Sequence, residues 1–298
     1  MRIDVHGHVF ADPRLITTAS GTPFMSAEQQ LEVMEQKGVD MTVILPLTSA
    51  EAPAEKQSVG EVLGICEKYP GKFIPFCNVD PRLPRDPMKI APEDHIHVLE
   101  QFKALGFRGL GELTARIFWD DHPMQCLLEA CEAVGFPVTF HTITPDVDSY
   151  GVLDEVGMPR FEKCLQKFPN LVFFGHSPGF WSEISGDVTL DTKNAYPKTP
   201  VAEGGVLKRL MREYPGVYGD LSAGSGLNAL QRDAVHAYAF MEEFQDRLML
   251  GLDYCSPKNE MEHVEWLTAA RDEGSIGSET YEKIMWKNAN RVLNLGLE

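Results

Sequence analysis

The stretch Asp4-Val5-His6-Gly7-His8 decides how the rest of the chain is read. Polar and apolar residues alternate in it, and two histidines stand two apart. In a β-strand, residues i and i+2 share a face, so His6 and His8 aim their imidazoles at one point. Two neutral imidazoles converging on one point suit a divalent metal. Spacing alone does not decide this, because His95-Ile96-His97 has the same pattern within Pro92–Phe102, which reads as a helix. On a helix i and i+2 diverge, so that second pair carries no metal reading. Asp4 shares the parity of His6 and reads as a buried support pointing into the interior below them.

Working outward, short apolar runs of strand type alternate with helical periodicity to the end of the chain. After the first strand, Arg2–His6, Ser26-Ala27-Glu28-Gln29 is a capping box for a helix that stops at Gly38. The later strands are read at Met41–Pro46, Phe73–Val79 (weakened by Pro75), Phe107–Glu112, Phe136–His141, Leu171–His176, Val217–Leu221 and Leu248–Asp253. Helices are expected at Glu55–Tyr69, Glu93–Leu105, His122–Val134 with Asp121 as cap, Pro159–Phe168, Val201–Tyr214, Leu227–Phe244, Glu260–Asp272 and Ser278–Leu293. Eight strands, each followed by a helix, predict an α/β fold of the (β/α)8 TIM-barrel type in a single domain, residues 1–298. An open doubly wound sheet would want a glycine-rich phosphate loop after the first strand, and His6-Gly7-His8-Val9-Phe10 is not one. Residues 177–200 form a long irregular segment after strand six, with Phe180 and Trp181, and read as a lid or a passive insertion.

Composition narrows the class. The chain has 298 residues, 43% of them hydrophobic, and a formal charge of −17. Such acidity argues against nucleic-acid and anionic-membrane partners and leaves a small-molecule substrate. The six cysteines are scattered without a Cys-x-x-Cys pair, as in a reduced cytoplasmic protein. No signal peptide and no membrane-length apolar run is read. A homo-oligomer is the expectation for the assembly.

Barrel active sites form at the C-terminal ends of the strands, so the test is what ends each apolar run. Strand one ends in His6 and His8, strand four in Glu112, strand five in His141, strand six in His176 and strand eight in Asp253, while strand seven runs into Asp220 and Ser222. Such residues at so many strand ends predict one shared metal site. His95, His97, His236 and His263 lie in helices and His122 starts one, so all five read as structural or solvent-facing.

On these residues the chain resembles the amidohydrolase superfamily. Within it the likeness is to the second amidohydrolase family, which includes aminocarboxymuconate semialdehyde decarboxylase. The likeness rests on His6-Gly7-His8, His141, Phe174-Gly175-His176-Ser177, Gly251-Leu252-Asp253-Tyr254 and the closing Asn288-Ala289-Asn290-Arg291-Val292-Leu293. The resemblance spans essentially the whole chain. It implies that His6, His8, His141 and Asp253 hold a divalent ion, most simply Zn²⁺. It also implies that His176 orients the attacking water or shuttles its proton, and that Asp253 accepts that proton. Glu112 departs from many members. It resembles the metal-binding Glu of TatD-like deoxyribonucleases, and reads as a further ligand that would permit two ions rather than one, as a substrate contact, or as a rim partner of Arg116 or Arg108. Arg116, Trp119, Phe180, Trp181 and Tyr254 are candidate pocket wall, with Arg116 able to hold a substrate carboxylate.

Four functions follow. The leading one is a metal-dependent hydrolase acting on a small amide, ester or lactone. The second is a non-oxidative decarboxylase of an aromatic or enoic acid on the same site. The others are a non-enzymatic binding barrel and a TatD-type phosphodiesterase, which the acidic balance disfavours.

Overall fold

A computed structural model describes residues 1–16, 21–52, 55–83 and 86–298. Eight parallel strands form its frame: β1 (Ile3–Gly7), β2 (Met41–Ile44), β3 (Phe73–Pro75), β4 (Leu110–Leu113), β5 (Val138–Ile143), β6 (Phe173–His176), β7 (Val217–Asp220) and β8 (Leu248–Met249). Backbone pairing runs β1–β2–β3 and β4–β5–β6–β7–β8. Two seams close the ring. Cys77, just beyond β3, bridges Leu110 of β4, and its N–H donates to the Gly109 carbonyl at 3.0 Å. On the other side the Val5 N–H donates to Leu250 and the Asp253 N–H to His6, both at 2.9 Å. The result is the expected (β/α)8 barrel.

The floor of the barrel is apolar. Ile3, Val5, Val43, Leu45, Ile74, Phe76, Phe174, Tyr218 and Met249 form one buried cluster, joined by Ala289 and Leu293 of the last helix. These residues come from strands all around the ring, so they meet inside it. The polar strand ends stand above this floor. The pairing of β1 with β2 shifts register between Asp4 and Gly7. Asp4 is the buried support expected on this strand. Its buried carboxylate accepts the N–H groups of His6 (3.0 Å) and Leu252 (2.8 Å) and the Thr42 hydroxyl (3.4 Å). Asp4 thus ties β1 to β2 and to the chain beyond β8.

Local chemistry explains most element ends. Ser26 and Gln29 make both bonds of the capping box that opens Ala27–Lys37, and Gly38 closes that helix in the left-handed conformation. The strand expected to run to Val79 stops at Pro75, which has no N–H to give a ladder. The single helix expected over Leu227–Phe244 is instead Ala223–Gln231 and Ala234–Glu243, because Asp233 restarts the chain by accepting the His236 N–H at 3.1 Å. The last helix is interrupted by a π-turn at Lys283–Lys287, whose Ile284 carbonyl accepts the Leu250 N–H at 2.9 Å.

Residues 177–200 are more ordered than an irregular loop. They contain helical turns at Pro178–Trp181, Ser182–Ile184 and Leu190–Lys193. Phe180, Trp181 and Ile184 are buried, and Lys193 pairs with Glu183 at 2.6 Å out of solvent. Among the described residues, no helix is long and apolar enough to cross a membrane.

Candidate metal centre

The strand ends bring His6, His8, Glu112, His141, His176 and Asp253 together at one mouth of the ring. Among the described residues, three overlapping donor groups have ligand atoms within 4.8 Å of one another: His6–His176–Asp253, His6–His8–Glu112 and Glu112–His141–His176. Glu112 lies at their centre. One carboxylate oxygen is 3.1 Å from His141 Nδ1, and the other is 3.3 Å from His8 Nε2 and 3.9 Å from His6 Nε2. The arginine partners considered for Glu112 do not appear; histidines take their place. Asp253 stands 3.5 Å from His8 Nε2, 3.7 Å from His6 Nε2 and 3.7 Å from His176 Nε2. Its φ of 58° is the left-handed region, which Asp tolerates better than most residues, and the turn follows directly on β8.

Two supporting contacts set the chemistry of β1. His6 Nδ1 donates to the Asp220 carboxylate at 2.6 Å, and His8 Nδ1 donates to the Leu45 carbonyl at 2.9 Å. With the proton fixed on Nδ1, each neutral ring turns an Nε2 lone pair inward. Those two nitrogens are only 3.3 Å apart. Two lone pairs facing each other beside two carboxylates need a proton or a cation between them. The donor set of imidazole nitrogen and carboxylate oxygen therefore fits a divalent metal.

The charges of the cluster shift the proton affinities of its members. Burial works against charging His6, but the carboxylates of Asp253, Asp220 and Glu112 outweigh it and push its imidazole up to about 10. Burial, reinforced by neighbouring His6, pushes His176 down to about 3. Burial raises Asp253 despite the histidines around it. Burial also opposes ionisation of Glu112, yet hydrogen bonds from His141 and His8 hold its carboxyl well below the usual range. Asp220 and Ser222, which the sequence reading left without a role, are the positioning pair. Ser222 Oγ lies 2.8 Å from His176 Nδ1, leaving His176 Nε2 to face the carboxylates. Gly251 makes this possible, since a Cβ there would lie 2.1 Å from an Asp220 carboxylate oxygen.

The sequence profile described as amidohydrolase matches residues 3–295. The chain belongs to the amidohydrolase family. Several solved structures share its fold. A probable 2-pyrone-4,6-dicarboxylic acid hydrolase from Acinetobacter baumannii is 12% identical, with 98% of this chain and 99% of that one covered and a TM-score of 0.58. A 2,6-dihydroxybenzoate decarboxylase from Rhizobium is 13% identical, with 99% and 98% covered and a TM-score of 0.57. An amidohydrolase from Burkholderia multivorans with bound zinc is 13% identical, with 99% of each chain covered and a TM-score of 0.62. No curated protein matches the sequence.

In this amidohydrolase the cavity beside the cluster has a wall different from the one expected. It is lined by Phe24, Leu47, Ala52, Tyr150, Pro178 and Tyr196, together with Ala223, Ser225 and Cys255, above His8, Glu112, His141, His176 and Asp253. Trp181 is a correction: it is fully buried behind β7, where its indole N–H donates to the Asp220 carbonyl at 2.9 Å. Arg116 is a second correction. Its guanidinium is spent on the carbonyls of Val147 (2.6 Å), Ser149 (3.1 Å) and Pro145 (2.8 Å), so it holds a loop and no substrate carboxylate. Tyr254 is a third. Its ring is buried, its hydroxyl accepts the Met261 N–H at 3.2 Å, and it faces a separate groove beside the Ala27–Lys37 helix. Trp119 and Phe180 likewise pack in the core, against Phe140.

Proposed function

We propose that this amidohydrolase is a metal-dependent hydrolase that adds water to a small amide, ester or lactone. The observation that carries the reading is the pair of inward Nε2 lone pairs 3.3 Å apart, flanked by Glu112 and Asp253, at the floor of the cavity. His6, His8, His141 and Asp253 would hold the ion, with Glu112 as a further ligand, and Zn²⁺ is the simplest occupant of such a nitrogen–oxygen set. A divalent ion supplies a Lewis acid that polarises a carbonyl and lowers the pKa of water toward about 7. Asp253, beside the water's position, takes the proton of the attacking water. His176 Nε2, 3.7 Å from that carboxylate and placed by Ser222, orients the water, and the proton held by Asp253 then goes to the leaving group.

A non-oxidative decarboxylase of an aromatic or enoic acid is the second reading. The chain resembles the dihydroxybenzoate decarboxylase in fold as closely as it does the pyrone dicarboxylic acid hydrolase. What favours hydrolysis is the wall: none of its described residues is Lys or Arg, and Arg116 is engaged elsewhere. The test is purified protein assayed for metal per chain and for product. Bound divalent metal, water addition by the wild type and loss of both metal and turnover in His8→Ala are expected. Full activity in metal-free protein refutes the reading, and carbon dioxide release in place of water addition replaces it with the second.

A further inference from the structure

We infer that the substrate is a small uncharged carbonyl compound and that the Tyr150 hydroxyl donates a hydrogen bond to its reacting oxygen. The inference rests on the hydrolytic reading of the same site. The cavity measures about 190 Å³, below the roughly 300–1,000 Å³ usual for drug-sized ligands, so the substrate is small. One side is apolar: Phe24, Leu47 and Ala52 pack into one cluster with Phe10, and Cys255 lies against it. The floor holds the carboxylates of Glu112 and Asp253, and no lining residue among those described carries a fixed positive charge. With Glu112 and Asp253 committed to the ion they would hold, a carboxylated substrate would be desolvated in this cavity with no guanidinium or ammonium among the described lining residues to pair with it. An uncharged acyl compound meets no such cost, and its apolar body gains contact with the Phe24 side.

The opposite side carries Tyr150 and Tyr196. Tyr196 is 47% exposed at the rim, whereas Tyr150 is half-buried, with its ring on His141 at a centroid distance of 4.7 Å. Tyr150 lines the cavity, and its hydroxyl has no hydrogen-bond partner among the described residues. A phenol O–H that is aromatic-braced and unspent is a donor open to an acceptor. A carbonyl oxygen above the His8–Glu112 floor is such an acceptor, and it gains negative charge as water adds.

The test compares δ-valerolactone with the same lactone bearing a carboxylate, as substrates of the zinc-loaded protein. It also compares δ-valerolactam with carboxylated δ-valerolactam as ligands in calorimetry. The uncharged lactone is expected to be favoured by about 100-fold in kcat/KM, the cost of desolvating a carboxylate that finds no partner. Tyr150→Phe is expected to lower kcat by about 100-fold, as for loss of one oxyanion donor, with KM and melting temperature little changed. Preference for the carboxylated lactone, or full kcat in Tyr150→Phe, overturns the inference. Calorimetry separates the two failures. Tight binding of the uncharged lactam that depends on Tyr150, without lactone opening, supports the recognition inferred here and sinks the hydrolytic reading. Lactone opening with tighter binding of the carboxylated lactam sinks this inference alone.

Discussion

Replacing Asp220 with asparagine changes a single group, yet it leaves no satisfactory arrangement around His6. One Asp220 oxygen accepts from His6 Nδ1 at 2.6 Å, and the other accepts the Ser222 N–H at 3.1 Å. Both contacts are out of solvent. Asparagine has one oxygen and one NH₂ group. If its oxygen faces Ser222, the NH₂ meets His6 Nδ1 and forces the ring proton to Nε2, the nitrogen that points at the cluster. If its oxygen faces His6, the NH₂ meets the Ser222 N–H, and a buried donor is left unsatisfied. Loss of such a supporting contact behind a metal ligand typically weakens metal affinity about 10–100-fold, or about 1.4–2.7 kcal/mol. The assay is competitive titration of zinc between the protein and a chelator of known affinity, with circular dichroism as the fold control. Affinity within about twofold of wild type in a folded Asp220→Asn, against the 10–100-fold expected, would refute the reasoning.

Three further outcomes are expected. Glu112→Ala removes the carboxylate shared by His6, His8 and His141, and metal per chain measured by mass spectrometry should fall; unchanged stoichiometry would make Glu112 a substrate contact instead. Trp181→Phe leaves the buried Asp220 carbonyl without its donor and should cost about 1–3 kcal/mol in denaturant unfolding, with no loss expected if that carbonyl is reached by water. Stability should decline on acidification from about pH 6.5 to 4. Burial holds His263 down to about 4 in the fold, so the unfolded chain binds a proton across that window that the native chain does not. The contribution is about 3 kcal/mol over the full window, lost as pH falls, and a His263→Gln variant should flatten that limb of a stability–pH curve.

The frame and the floor of the site were legible because each is a local pattern. Strand alternation placed His6 and His8, and the rule that barrel chemistry sits at strand ends placed Glu112, His141, His176 and Asp253. The same rule pointed at Asp220 and Ser222, but nothing in the sequence says which strand-end residues grip a ligand and which grip a ligand's far nitrogen. The wall was not legible. Loop aromatics look alike in sequence whether they face a cavity or the core. Phe180 and Trp181 went to the core because β6 and β7 offer glycines beneath them: a Cβ at Gly175 would lie 2.2 Å from Phe180, and one at Gly219 2.7 Å from Trp181. Tyr150 and Phe24 lie in loops with no periodicity at all, so only the assembled barrel shows where they point. Asp4 was legible as a buried support, and its carboxylate accepts the His6 and Leu252 N–H groups.

The seam between β1 and the chain after β8 also bears on how the protein is made. His6 and His8 leave the ribosome long before Asp253, and the Leu252 N–H that Asp4 accepts comes 248 residues after Asp4. Contacts of such long sequence separation form late in folding, because a large loop must close before they are rewarded. A nascent chain therefore carries its first two metal donors exposed and unpaired for most of synthesis, at about 5–20 residues per second. Capture of an ion at the full set of candidate donors would follow ring closure, so a chain truncated before β8 should fold poorly and take up no ion in the native way.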